Sequence, residues 1–279
     1  MTVQAAKALY RDEFIAAYEQ TKSELAAATT PESMPNGLTM TWLVAGSGGQ
    51  TAITRGQSGQ IPYFTPSNTQ VTATLVEKHA PFELTGFDIF ASQGNQKLIM
   101  QNASLSVIRR DQDLTILTEL ANATQDFGGG TLDLATVAFA KAALKQNFVD
   151  DSSMDDLFCV ISPAAEAYLT QTTEFASLDY RDIAPLEGGV SRSYRHWMGI
   201  NWIVSALVTG VGTSSEVLYM YHRAAIGYAA NLGAENIDIG YDSKQDASWS
   251  RASIYHAAKI VQNTGIIKLA HDGSAVATT

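Results

Sequence analysis

Few side chains in this 279-residue chain are spaced for chemistry. The Gly46-Ser47-Gly48-Gly49 cluster follows an apolar run, as a phosphate nest does when successive backbone N–H groups converge on an anion. No helix-forming sequence comes after it to add a positive N-terminus, and no lysine follows the glycines as in a P-loop. His79, His196, His222, His256 and His271 contain no pair within five positions, so a helical zinc motif is missing. No serine has glycine both two before and two after it, which excludes the strained turn that presents a nucleophilic hydroxyl. Carboxylates do cluster, at Asp150, Asp151, Asp155 and Asp156, and residues 146–187 hold nine acids against the single base Arg181. The central glycine and closing glutamate of a calcium loop are absent from that run. It reads as a solvated, self-repelling surface, or as one half of an electrostatic contact with the basic segment around Arg192, Arg195 and His196. In a ring of identical subunits two such patches meet head to tail. Cys159 lies in the apolar run LFCVI and reads as a buried, inert thiol. The residues thus imply no catalytic group, metal or cofactor; the competing class is a small α/β enzyme holding a phosphorylated ligand at Gly46–Gly49.

Composition narrows the partners. Eighteen basic and 28 acidic side chains leave a formal charge of -10, which repels phosphate and argues against tight nucleic-acid binding. No stretch approaches the ~18 apolar residues of a membrane span, and the mixed-charge start MTVQAAKALYRDEFIAAYEQ lacks the pattern of a secretory signal. One cysteine offers no disulfide framework, as expected for assembly in a reducing cytoplasm.

Around these residues the hydropathy pattern lays out two linked lobes. Leu9, Tyr10, Phe14, Ile15, Tyr18 and Leu25 recur at helical spacing and predict an amphipathic helix from Val3 to about Ala27 whose stripe needs a partner. TTPESMPNG at 29–37 then breaks regular structure and tethers an arm. Strands are expected at 40–45, 71–78 and 82–91, with a Gly-rich polar tip between the first two. The segment 45–70 offers only Ile53, Ile61, Tyr63 and Phe64 as large apolar groups, far too little burial to offset the backbone entropy of ordering it. Neighbouring subunits are the expected support. A long helix is predicted over 93–125, with Leu98, Leu105, Ile108, Leu114, Leu117 and Leu120 on its apolar side, ending at Gly128–Gly130. The second lobe opens with a helix from Thr131 to Gln146, then the buried strand LFCVI, then Ser162 as N-cap and Pro163 as first residue of the helix PAAEAYLTQ. Further strands are expected at 199–208 and 216–222, and 236–269 alternates as strands that return to the long helix. Trp197, Trp202, Tyr219, Tyr221 and Tyr228 alternate as strand interiors do, and read as core instead of a base-stacking platform.

The segments WLVAGSGGQTAITRGQSGQIP, GFDIFASQG, ISPAAEAYLTQTTEFASLDY, HWMGINWIV, MYHRAAIGYA and NTGIIKLAHDGSA span almost the whole chain and resemble the major capsid proteins of tailed bacteriophages. The resemblance implies the α+β, Hong Kong 97-type capsid fold, with an N-terminal arm at 1–39, an extended loop at 40–92, a peripheral domain from the spine helix 93–125 plus 232–279, and an axial α/β domain at 126–231. It implies a structural protein without catalysis, forming hexamers and pentamers that close as an icosahedral head around double-stranded DNA in the host cytoplasm. The extended loop would lie across the adjacent subunit, making Gly46, Gly48, Gly49, Ile53, Arg55, Ile61, Tyr63 and Phe64 contact residues, with Asp155, Asp156, Arg192 and Arg195 as charged contacts. An encapsulin-like compartment shell shares the fold and is the alternative. Some relatives cross-link a lysine of the loop to a neighbour, but no lysine occurs between Lys22 and Lys78. Fewer than 40 residues precede the loop, so a scaffolding function is expected from another chain, with cement and portal proteins as further partners.

Overall fold

Strand Leu157–Ile161 is apolar at every position because it lies inside a sheet covered on both faces, and all five of its side chains are buried. The computed structural model describes residues 20, 22–33, 37–57, 59–87, 96–149, 153, 156–172, 195–231 and 236–276, with the side chains of 32, 33, 96, 97, 195 and 236 outside that set. In chain order the elements are β1 (Thr30–Ser33), β2 (Thr39–Gly46), β3 (Ser67–Thr74), β4 (Val76–Thr85), α1 (Gln96–Ala121), β5 (Asp126–Phe127), α2 (Leu134–Gln146), β6 (Leu157–Ile161), α3 (Pro163–Gln171), β7 (Arg195–Trp197), β8 (Ile200–Val204), β9 (Glu216–His222), β10 (Ile226–Ala230), β11 (Asn236–Asp242), β12 (Ala247–Ile260) and β13 (Ile266–His271).

Two mixed sheets form the body. One runs β5-β13-β9-β6-β8-β7, with β6 central and parallel to β8. The other is organised by the 14-residue β12, which pairs with β4 along 247–256, with β11 along 247–253 and with β10 along 256–260; β1 adds parallel to β10. One apolar core joins both sheets, with Ala80, Ile108 and Ile254 on one side and Leu218, Met220 and Leu269 on the other.

Helix α1, 26 residues and so about 39 Å long, lies on β12 and β4. Small residues allow the close approach: Ser104 Oγ stands 3.4 Å from Ser250 Oγ, and both are fully buried. Asp111 of α1 gathers three strands, accepting from His256 Nε2 at 2.9 Å on β12 and from Lys78 Nζ at 3.3 Å on β4, while Tyr228 of β10 contacts His256 Nδ1 at 3.2 Å.

The buried side of α1 differs from the expected leucine stripe. It follows Met100, Ser104, Ile108, Gln112, Ile116 and Leu120 at four-residue steps, while Leu98 and Leu114 are exposed. Serine and glutamine occupy core positions because the facing strand is close and polar. Three strand assignments also shift. The predicted strands 71–78 and 82–91 are instead β3 and β4, separated by Leu75, and Pro81 is accommodated within β4 because it pairs on one side only, with β12. The strand expected over 199–208 stops at Val204, and α2 starts at Leu134, capped by Asp133, whose carboxylate accepts from Thr136 N at 2.7 Å. β13 pairs with β9 in the six-stranded sheet although it was expected beside the spine helix, and β10 does the reverse. Alternation marks a strand but carries no information on its partner.

The N-terminal segment is likewise corrected where it is described. Thr30–Ser33 is a strand, not a break, since an edge position tolerates the missing N–H of Pro31. Within the span of the helix expected up to Ala27, residues 22–25 are irregular and Ala26–Ala28 is a single 3-10 turn. Residues 3–19 of that helix lie outside the described residues. Asp113, 1% exposed, captures this segment by accepting from Ser23 Oγ at 2.6 Å, from Glu24 N and Leu25 N at 3.1 Å each, and from Gln20 Nε2.

Candidate assembly surface

The hairpin of β2 and β3 forms a sheet of its own, in register from Thr39↔Thr74 to Gly46↔Ser67. Its root is apolar on one face only. Met40, Trp42 and Ala73 pack with Ala229 and Ala257 of the body, while Leu43 on the opposite face is 79% exposed. Trp42 seats on β10 because residue 227 is glycine: a Cβ there would stand 2.4 Å from Trp42 Cε2. Glycine inside a strand pattern signals such close approach, and this was the available sequence clue to the fastening point.

Beyond the root, every described residue from 47 to 66 is exposed. Gly48 and Gly49 adopt φ of +68° and +75°, closing a turn in which Gln50 N reaches Ser47 O at 3.4 Å. Further out, Gly56 N bonds Gln60 O at 3.0 Å and Gly59 N bonds Gly56 O at 2.9 Å. Among the described residues these local bonds are the tip's backbone support outside the strands. Tyr63 is 98% exposed, Ile61 54%, Phe64 47% and Ile53 43%, and Arg55 is also in solvent. The eight loop residues singled out in the sequence therefore share one projecting element, with its apolar groups facing outward. No helix follows Gly46–Gly49, so the nest lacks the added dipole of a phosphate site.

The charged positions are less complete. Asp155 and Arg192 lie outside the described residues, Arg195 is described only in its backbone, antiparallel to Trp202, and the half-buried Asp156 accepts from Arg223 N at 2.7 Å through its carbonyl.

One buried group has the residue types of a hydrolase triad but not its connections. Ser162 donates to Glu216 Oε2 at 2.5 Å, and Glu216 Oε1 accepts from Gly212 N at 2.6 Å. His271 Nδ1 accepts from Leu132 N at 3.0 Å, and its Nε2 is 3.9 Å from Glu216. The serine proton is thus directed to a carboxylate and not to an imidazole, and all three side chains are shut from solvent. Burial holds His271 below its ordinary pKa, only partly countered by Glu216 and Asp272. The trio ties α3, β9 and β13 together at one end of the sheet, and the sequence contained no spacing that would have revealed it. Cys159 is fully buried and its thiol pKa is pushed up by desolvation. Among the described residues no group of three His, Cys, Asp or Glu side chains is placed to hold a metal, and no helix is long and apolar enough to cross a membrane.

A two-sheet body without an assembled catalytic group among the described residues, carrying a long hairpin whose tip leaves Ile53, Ile61, Tyr63 and Phe64 in solvent, defines a structural subunit built to meet other subunits. The chain belongs to the phage capsid protein family, whose family model matches residues 3–272. It is a major capsid structural protein of the virion, with the α+β capsid fold. No curated protein sequence matches it. Solved structures with the same fold include a chain of Mycobacterium phage Che8, with 17% identity, a TM-score of 0.71, and 96% of this chain and 98% of that one covered. The capsid of Ralstonia phage GP4 shares 10% identity at a TM-score of 0.68, with 98% of each chain covered. The capsid of a native GTA particle, computed with C5 symmetry, shares 12% at 0.66, with 93% of each covered.

Proposed function

We propose that this subunit forms hexamers and pentamers that close as an icosahedral shell around double-stranded DNA, assembled in the host cytoplasm, without catalytic activity of its own. The observation that carries this is the projecting hairpin tip, exposed throughout, with Tyr63, Ile61, Phe64 and Ile53 facing solvent. Laid across the adjacent subunit, the half-exposed Ile53, Ile61 and Phe64 each gain about 1 kcal/mol of burial that a lone chain forgoes, and the fully exposed Tyr63 gains more. The family match favours a phage shell over an encapsulin-like compartment, and the C5 symmetry of the similar GTA particle supports five-fold assemblies. An acidic chain suits a container wall that must release the genome it holds.

In this proposal the five-stranded sheet with α1 is the peripheral part and the six-stranded sheet the axial part, with β10 and β13 exchanged between them, and residues 40–92 remain the extended loop. Asp155 and Asp156 of one copy face Arg192 and Arg195 of the next. With no lysine between Lys22 and Lys78 the projecting tip of the loop has none to cross-link, and Lys78 at the loop's base is bonded to Asp111 of the same chain, so separate cement and scaffolding chains, and a portal, complete the particle. Deleting residues 46–60 should leave a folded, soluble subunit that makes no closed shells under electron microscopy. Normal particles from that deletion would remove the loop from assembly.

A further inference from the structure

Helix α2 turns an uncharged stripe to solvent. Ala135, Phe139, Ala142 and Gln146 are all exposed and fall at i, i+4, i+7 and i+11, which is one side of a helix. Phe139 is 62% exposed there. Just past the stripe comes a second phenylalanine, Phe148, at 97% exposure and with φ of +58°.

The cap geometry accounts for that angle. Phe148 N bonds Lys145 O at 3.0 Å and Val149 N bonds Leu144 O at 3.2 Å, the two bonds of a Schellman ending. Leu144 and Val149 both pack into the main core, as that motif requires of its apolar pair. The left-handed position in such an ending normally belongs to glycine, because a side chain there crowds the following carbonyl. The mount is also rigid: Asn147 Nδ2 donates to Gln125 Oε1 at 3.1 Å and to Thr264 O at 3.2 Å. A lone subunit therefore holds an aromatic ring in water on a fixed support, in a backbone conformation that disfavours it. Strain retained together with full exposure marks a functional position.

We propose that the outer face of α2, anchored by Phe139 and Phe148, is an interface with a second copy of this chain. The assignment rests on the shell-subunit reading, since a capsid wall surrounds each copy with others. The stripe itself carries no charge, so an apolar face fits it, and in a chain of the phage capsid protein family another copy is the partner that lies alongside to supply one. Ala135 and Ala142, on either side of Phe139, let a neighbour's backbone come close, and the rings supply the buried aromatic anchors on which interfaces depend.

Phe148→Gly and Phe148→Asn test this in the full-length chain, because both residues suit a left-handed cap while removing the ring. The free variant subunit should melt at the same temperature as the parent or higher. Shell formation followed by light scattering and electron microscopy should then need about ten- to a hundredfold more subunit, the loss expected for one buried ring. Variant shells forming at the parent concentration would overturn the proposal. So would a lower melting temperature of Phe148→Gly, which would place the ring in the subunit's own fold, or normal shells that fail only to bind a different virion protein. A parent chain that never forms shells would instead refute the shell-subunit reading itself.

Discussion

Replacing Asp113 by alanine should detach the N-terminal segment from the body while leaving both sheets intact. The carboxylate accepts from four donors, but they do not count equally. Gln20 and Ser23 sit partly in solvent and recover water when released. The main-chain N–H of Leu25 makes a buried bond and that of Glu24 a partly buried one, and an orphaned buried donor costs about 1–3 kcal/mol. Leu25 itself is fully buried, worth about 2 kcal/mol more if the segment peels away. Two gains offset these losses. A desolvated carboxylate is removed, and Glu24, whose pKa is raised by burial and then by Asp113, is relieved of a like charge. The net expectation is a loss of about 2–4 kcal/mol, against about 1–2 kcal/mol for Ser23→Ala, which deletes two part-buried bonds, the one to Asp113 and the one accepted from Ala26 N. Urea denaturation of the full-length chain below its assembly concentration measures both, and limited proteolysis should cut between residues 20 and 28 in Asp113→Ala alone. A loss under about 1 kcal/mol for Asp113→Ala, with the segment still protected, would show that Leu25 and β1 hold it without the carboxylate.

Gly227→Ala should expel Trp42 from its seat, since the new methyl would stand 2.4 Å from the indole; about 1–3 kcal/mol of stability and a red shift of tryptophan fluorescence are expected, and an unchanged spectrum would deny that Trp42 fastens the hairpin. Acid should destabilise the subunit through two imidazoles. His256, buried beside Asp111, Lys78 and Tyr228, and His271, buried beside Glu216, Asp272 and Tyr168, are both held below the ordinary 6.5 by desolvation. Below that pH the unfolded chain takes up protons that the folded chain refuses, so stability present above pH 6.5 is lost as the pH falls through and under it. Glu24 opposes this, because its raised pKa favours proton uptake in the fold. Melting temperatures at pH 7, 6 and 5 should therefore fall, and fall less in His271→Asn, which keeps an acceptor for Leu132 N; an equal fall in the variant would discard His271 as a contributor.

What could be read in the sequence was whatever one chain segment expresses alone. LFCVI showed a covered strand by being apolar throughout, and Ser162-Pro163 showed a helix start because capping is local chemistry, here Ser162 Oγ accepting from Ala165 N at 3.1 Å. The hairpin was legible for the same reason, as two runs of strand-forming residues around a tip too polar to bury. Pairing was not legible, so β13 was expected beside the spine helix when it pairs with β9, and β10 lies in a stretch where no strand was expected. The leucine stripe placed Ile108, Leu117 and Leu120 correctly in the core but missed Ser104 and Gln112, which are buried by what faces them, and helical period cannot report that. Asp113, Glu216 and His271 are ordinary in sequence and become particular only when segments 54 to 139 positions distant bring donors to them, a long-range effect that no local spacing encodes.

The distribution of satisfied and unsatisfied groups also bears on why this fold serves a wall. Inside the body, polar groups that could have been replaced by hydrocarbon are retained and bonded: Asp113 on the N-terminal segment, Asp111 on two strands, Glu216 on a helix start and a loop. Such contacts add little net stability over apolar packing but fail sharply if a partner is displaced, which favours one relative placement of the joined elements. Outside, the reverse holds, with Tyr63 and Phe148 almost wholly in water. A subunit selected for its own stability alone would exchange those rings for polar residues and put glycine at 148. Keeping them makes sense when the free energy of the last contacts is gained on joining, so that the isolated subunit stays soluble and the closed shell collects, at each of many repeated junctions, the burial that every copy leaves open.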